Sequence, residues 1–413
     1  MNRKLIVPIA VPALLLFALA NSARAGGLYV SEFGTPPLGT AGAGAPAGTD
    51  GASTAIHNPA AMTRLDEHQL SVGSALAFSF VKFDPDSDTP VAGSDGGNQG
   101  GFAPIISSQY VHKLSDRWRL GFALLSISAA ILDPSDDWVG RNEITESSLL
   151  SLTVLPTLAY RVNDWLSIGA GPTLTYGRLT YELRAPLPGP GSREAPIKLD
   201  EIDDFGVGAA VSALLELSPK LRIGVTYNSE IELDLSGDIK LPLGISPNIN
   251  LKLPLAQSVR LGIHWDVTDR IALLGSAAWE DWSTAESLPI AVGGRSSSLP
   301  LNFKDTWRGS IGLHYRLNKE WLLQTGFSYD SSALDNSDRT VAFPIDRQTR
   351  LAFGALYDWS ESIRIGMSFE WLNLGKAKVN DSFVKGDYRS NDAIFFGLNV
   401  NWKNLPWRNW GTF

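Results

Sequence analysis

In "LRIGVTYN", Leu221, Ile223, Val225 and Tyr227 alternate strictly with Arg222, Gly224, Thr226 and Asn228. A two-residue period sends successive side chains to opposite faces of an extended strand; a helix would scatter them. "VRLGIHWDVT" (259–268), "IRIGMSFEW" (363–371) and "IFFGLNVNW" (394–402) repeat the scheme. Throughout, one face is apolar, while the other is dominated by glycine, serine, arginine and asparagine. Aromatic residues gather near the strand ends, as in the girdles at the two interfaces of a membrane barrel. A soluble sandwich also alternates, but its apolar face varies in size to interlock in a core. Here the polar face reads as the lining of a lumen.

Fourteen such segments can be counted, at 68–84, 101–114, 117–131, 142–162, 164–184, 200–218, 220–237, 249–268, 270–283, 302–317, 319–332, 345–359, 361–378 and 391–403. An even number is what a closed antiparallel barrel of this class requires. Several segments exceed the roughly 10 residues needed to cross a bilayer, so the strands should project beyond it on one side. Short turns ("LSD", "VND", "SPK", "TD", "LNK", "SE") alternate with long Pro/Gly-rich links such as "DPDSDTPVAGSDGGNQG" and "APLPGPGSREAPIKL". The short turns are expected in the periplasm and the long loops outside.

The N-terminus agrees with export. Arg3 and Lys4 precede an apolar run from Leu5 to Ala20, and Ala23-Arg24-Ala25 offers a cleavage site. Residues 1–25 therefore read as a signal peptide. Its removal takes away three positive charges and no acids, moving the formal charge from -8 to -11. An exported chain with no cysteine is stabilised without disulfides. No later run is long enough for a transmembrane helix, and the acidic balance argues against nucleic acid.

Residues 26–67 stand outside the alternation. They are glycine-rich, with Leu28, Tyr29, Val30, Phe33, Ile56 and Met62 as apolar anchors, and they contain "HNPAAMT". A fourteen-strand barrel leaves a water-filled hole unless something fills it. We expect this segment to be a hatch inside the lumen, ahead of a barrel spanning 68–413. Leu28, Phe33, Asn58, Pro59 and Ala60 are its candidate gating residues. Asn58 can bond local backbone, while Pro59 fixes φ and removes a donor that a lumen would struggle to satisfy.

These features resemble the FadL-type long-chain fatty-acid transporters of the bacterial outer membrane. The resemblance begins with "GGLYVSEF" and "NPAAMT" and continues through "AAWEDWS", "FKDTWRGSIGLHY" and "WLLQTGFSYDSS", in order along nearly the whole mature chain. It implies a fourteen-strand barrel with a hatch, passive entry of hydrophobic ligands from outside, a high-affinity pocket and a lateral exit through the wall. Two stretches depart from the family pattern. "FPIDRQTR" displaces the acid and arginine found before the twelfth strand, and the third strand has no glycine after Gly121 in "SISAAILDP".

No motif for a nucleophile, a metal or another cofactor is present. "GAGAPAG" has the wrong spacing for a phosphate loop, and Glu201, Asp203 and Asp204 read as a solvated strand entry before a calcium site. His264 and His314 fall on the lumen face, with His314 a candidate ligand contact, and His57 reads as a packing or hydrogen-bonding residue of the hatch. Arg308 also points inward, opposite Trp307. It can pair with a hatch acid such as Glu32 or Asp50, or receive a ligand carboxylate through its bidentate fork. The expected cargo is a fatty acid. The alternatives are aromatic or alkane hydrocarbons in the same fold and, from another class, an outer-membrane lipolytic enzyme or a structural barrel. Lipopolysaccharide and outer-membrane lipid would surround the protein. The barrel assembly machinery would recognise its C-terminal aromatic residue, and a closed wall without a free edge suits a monomer.

Overall fold

A computed structural model describes residues 33–186, 194–380 and 383–404. The signal segment, Leu28, Glu32, part of the 185–199 loop and the tail after Asn404 lie outside the described residues.

Among the described residues, nineteen strands join into one sheet that closes on itself. The first six are β1 (Gln69–Pro85), β2 (Phe102–Lys113), β3 (Trp118–Leu132), β4 (Glu146–Arg161), β5 (Leu166–Pro186) and β6 (Glu194–Ser218). Then come β7 (Leu221–Asn228), β8 (Ile231–Lys240), β9 (Asn248–Leu255), β10 (Ser258–Asp266), β11 (Ile271–Glu280), β12 (Ser287–Val292) and β13 (Arg295–Pro300). The last are β14 (Thr306–Arg316), β15 (Trp321–Asp330), β16 (Gln348–Asp358), β17 (Ile363–Asn373), β18 (Val379–Asn380) and β19 (Lys385–Lys403).

Fourteen of these form the wall: β1 to β7, β10, β11, β14 to β17, and β19, which pairs antiparallel with β1 to close the ring. The expected count therefore holds, and closure removes the edges that an open sheet would expose. β5 and β6 run 21 and 25 residues, well past a bilayer crossing, and project at the long-loop end as expected. Alternation sets the two faces. Trp307 and Ile311 of β14 are 60% and 63% exposed outward, while Thr306 and Ser310 are buried inside.

Three features differ from the sequence reading. The expected seventh strand is two, β7 and β8, interrupted at Ser229 and Glu230; the expected eighth is β9 and β10, interrupted at Ala256 and Gln257. A further hairpin, β12–β13, occupies 287–300, where no strand was expected. β8, β9, β12 and β13 pair in that order as an outer extension of the wall. β12 and β13 have only six residues each, and β13 is serine-rich, so they do not stand out by period alone.

Candidate functional site

The hatch follows from small residues. Among the described residues, 33–67 form four short helical turns, Pro36–Thr40, Ala45–Ala47, Thr54–His57 and Pro59–Arg64. These lie against inward-facing glycines of the wall. A methyl group at Gly224 of β7 would overlap the Pro46 carbonyl, and one at Gly326 of β15 would overlap the Thr40 carbonyl. Glycine is needed here because backbone meets backbone, which is the close approach that this residue permits. Phe33, 1% exposed, packs with Ala52, Ala55, Met62 and Leu65 against wall residues Val111, Ala123, Leu125 and Leu155.

Asn58 is fully buried and caps the Pro59–Arg64 turn. Its Oδ1 accepts from the Ala60 N–H (3.0 Å), and its Nδ2 donates to the Pro46 carbonyl (2.6 Å) and to the Ala213 carbonyl of β6 (2.9 Å). One side chain thus joins two hatch turns to the wall. Pro59 occupies the first helical position, where a missing N–H costs nothing. The Ala60 N–H is shared with Ser212 Oγ at 3.0 Å. Further pins are Gly44 N–H to Ser276 Oγ (2.9 Å), Ala52 N–H to Asn401 Oδ1 (3.0 Å), and Ser107 Oγ to the Phe33 carbonyl (2.7 Å). His57 bonds Thr35 Oγ1 through Nε2 at 2.9 Å.

Arg308 points inward, and among the described residues an acid of the wall holds it. Its partner is Asp330, directly opposite on β15, held by two parallel bonds of 2.8 Å from Nε and Nη2. Glu32 lies outside the described residues, and Asp50 instead sits 3.8 Å from Arg364. The physical reason is register: a partner on the neighbouring strand is already fixed in place, so the fork pairs without ordering a loop. Arg350 of β16 adds a 2.5 Å contact to Asp330 and a 3.4 Å contact to Glu370 of β17. Arg260 of β10 lies 3.5 Å from Glu280 of β11.

Six successive wall strands therefore carry Arg260, Glu280, Arg308, Asp330, Arg350 and Glu370, alternating in sign near their long-loop ends. Sequence reasoning found only Arg308. The other five were legible by parity, since each falls on the inward face of its strand.

Beside this collar lies a small pocket, lined by Pro37, Leu38, Ala45 and Pro46 of the hatch and by Arg260, Arg308, Ser310 and Glu370. A second small pocket brings Asp50 and His57 together with His264 and His314. His314 bonds Gln324, nitrogen to nitrogen at 2.9 Å, and lines this second cavity, not the one at Arg308. The two candidate ligand contacts are thus not in one pocket. Asp203 accepts from the Tyr176 hydroxyl (2.8 Å) and Glu201 pairs with Arg178 (3.4 Å).

Above the collar the interior is apolar. Ile231, Leu233 and Leu235 of β8, with Ile249 and Leu251 of β9, pack against Trp282, Phe303, Leu334 and Ile345. The outer extension is a roof over these residues. The ladder between β2 and β3 is also incomplete. β2 and β3 pair only from Ser107↔Leu125 to Lys113↔Arg119, and the β3–β4 register shifts between Ser126 and Ala129. The interruption that a glycine would mark is present here without one.

Known proteins with this arrangement are consistent. The family model described as outer membrane protein transport protein (OMPP1/FadL/TodX) matches residues 16–403. A long-chain fatty acid transport protein of Escherichia coli is 24% identical over 97% of this chain and 100% of that protein. Outer membrane protein P1 of Haemophilus influenzae is 22% identical over 94% and 98%. Among solved structures, a Pseudomonas aeruginosa FadL homologue superposes with a TM-score of 0.83 at 19% identity, covering 92% of this chain and 100% of that one. The Ralstonia pickettii toluene transporter TbuX gives 0.70 at 18%, covering 90% and 99%.

Proposed function

The chain belongs to the OMPP1/FadL/TodX family of outer membrane transport proteins, and from that premise we propose that it carries long-chain fatty acids passively across the outer membrane. Its place in the outer membrane and its work as a channel for hydrophobic substrates belong to the family; the choice of cargo is our reading. One observation carries it: the interior above a packed hatch is filled by a cluster of buried apolar side chains, where a pore for water-soluble solutes would be polar and wet. Such an interior spares a greasy solute the passage through water that lipopolysaccharide and a wet pore would otherwise impose. Residues 26–67 act as the gate, with Phe33 and Asn58–Pro59–Ala60 fixing the closed state, and ligand contacts that differ between two hatch positions shift it. The gap between β2 and β3 serves as the lateral exit. The protein acts as a monomer without a cofactor, inserted by the barrel assembly machinery.

Arg308 receives the carboxylate by exchange with Asp330, which keeps Arg350 as a second partner. Arg308→Ala should then weaken binding of the acid by about 1.5–3 kcal/mol, the range for hydrogen bonds to charged groups. Binding of the matching methyl ester should change much less. Equal loss for acid and ester withdraws the carboxylate role and leaves Arg308 as a structural member of the collar. The commitment of Arg308 to Asp330 favours a second reading, uptake of neutral aromatic or alkane hydrocarbons. A neutral ligand makes no demand on the collar and would bind the Arg308→Ala protein unchanged.

A further inference from the structure

The wall has a second seam, on the side of the roof. β6 pairs with β7 at Ala210↔Asn228 and meets β8 again at Asp203↔Ser236, but no ladder joins the residues between. Only its ends are tied. Ser229 N–H donates to the Ala209 carbonyl (2.9 Å) and Ser229 Oγ accepts from the Ala209 N–H (2.9 Å). At the other end Asp234 N–H donates to Asp204 Oδ2 (2.7 Å). Unpaired backbone in a membrane wall is costly, so a seam left open on one side calls for a reason.

The two faces of the seam supply one. Outside, Phe205 and Val207 are 75% and 68% exposed, and the Phe205 ring lies 4.9 Å from that of Tyr176, an aromatic pair of the kind found at the bilayer interface. Inside, Ile231 and Leu233 press onto Gly206 and Gly208, where no side chain intervenes. Both belong to the buried apolar cluster beneath the roof. Lipid and the apolar interior are thus separated here by two aliphatic side chains and a backbone left without a ladder on one side. Rotating a buried aliphatic side chain costs far less than breaking a ladder of backbone bonds.

We propose that the β6–β8 seam is a lateral entrance, distinct from the β2–β3 gap. Through it, a hydrophobic solute dissolved in the outer leaflet reaches the apolar interior, with Ile231 and Leu233 as the gate. This rests on the transport reading above and adds a route to it. The chain has no cysteine, so the seam can be locked cleanly. Asp204→Cys with Asp234→Cys places a reversible disulfide across it. Uptake of a long-chain fatty acid by whole cells is measured before and after reduction. The entrance predicts a several-fold loss in the oxidised Asp204/Asp234 variant, restored by reductant. As a second arm, the single variant Ile231→Cys should react with a thiol reagent carried on a lipid chain. Unchanged uptake on locking, with the introduced thiol silent to the lipid-borne reagent while the wild type transports normally, overturns the entrance and spares the transporter. A wild type that takes up no fatty acid removes the transport reading, and the entrance with it.

Discussion

Asn58→Ala removes the side chain that holds the hatch at three points. The cap contribution is small, because the Ala60 N–H keeps Ser212 Oγ at 3.0 Å; about 0.5 kcal/mol is reasonable, at the low end for such caps. The Pro46 and Ala213 carbonyls each lose a donor in a buried setting, at about 1 kcal/mol apiece. The sum of about 2–3 kcal/mol falls on hatch docking and corresponds to roughly a 30- to 150-fold shift at 1.4 kcal/mol per tenfold. Hydrogen exchange in detergent reads this directly. The amides of residues 58–65 should exchange faster by about that factor, while those of β1 and β19 are unchanged and the barrel still shifts on gels after heating. If wall and hatch lose protection together, they form one cooperative unit, and the picture of a hatch docked on an independently stable wall is wrong. If the hatch amides do not respond, Asn58 is not its anchor.

Other outcomes follow from the same structure. Asp330→Ala leaves Arg308 and Arg350 buried without their shared acid and should cost about 3–5 kcal/mol, the range for breaking one partner of a buried pair; a fall in the thermal midpoint much smaller than that of a core truncation would contradict it. A cysteine at Ser87 should be labelled by a membrane-impermeant reagent on intact cells, and one at Asp116 or Asn163 should not; the reverse pattern inverts the topology. Burial, with Arg260 adding to it, pushes His57 down to about 4 from its ordinary value. A base whose folded value is depressed stabilises the docked hatch above its unfolded value and loses that contribution as pH falls towards the folded one. Hatch protection should therefore decline between about pH 6.5 and pH 4, and His57→Gln should flatten that part of the profile.

The wall was legible because each strand faces two solvents at once. Lipid demands apolar side chains on one face and the lumen tolerates polar ones on the other, so the period survives even where propensity is weak. That logic located β14 and aimed Arg308 inward. It did not locate Asp330 as the partner, because pairing depends on register between strands, which a single strand's period does not encode. The breaks at Ser229–Glu230 and Ala256–Gln257 were missed for a related reason: the alternation runs on through them while the chain leaves the wall for the roof. β12 and β13 lie outside the fourteen-strand ring, so "SLPIAV" and "RSSSLP" do not carry the two-faced pattern of a wall strand. The inward glycines were read as a polar lining. Their role as seats for hatch backbone at Pro46 and Thr40 is a contact between segments far apart in sequence.

The central claim is a conduit for long-chain fatty acids, and uptake tests it most directly. Cells lacking their own outer-membrane fatty-acid transporter, with this chain produced in its place and confirmed in the outer membrane, would be given a labelled long-chain fatty acid and, separately, labelled toluene. The account predicts saturable, energy-independent entry of the acid above that of cells with an empty vector, when downstream consumption is equal. Entry of toluene with none of the acid would contradict the assigned cargo, and entry of neither into cells carrying a folded barrel would contradict the transport reading for this chain.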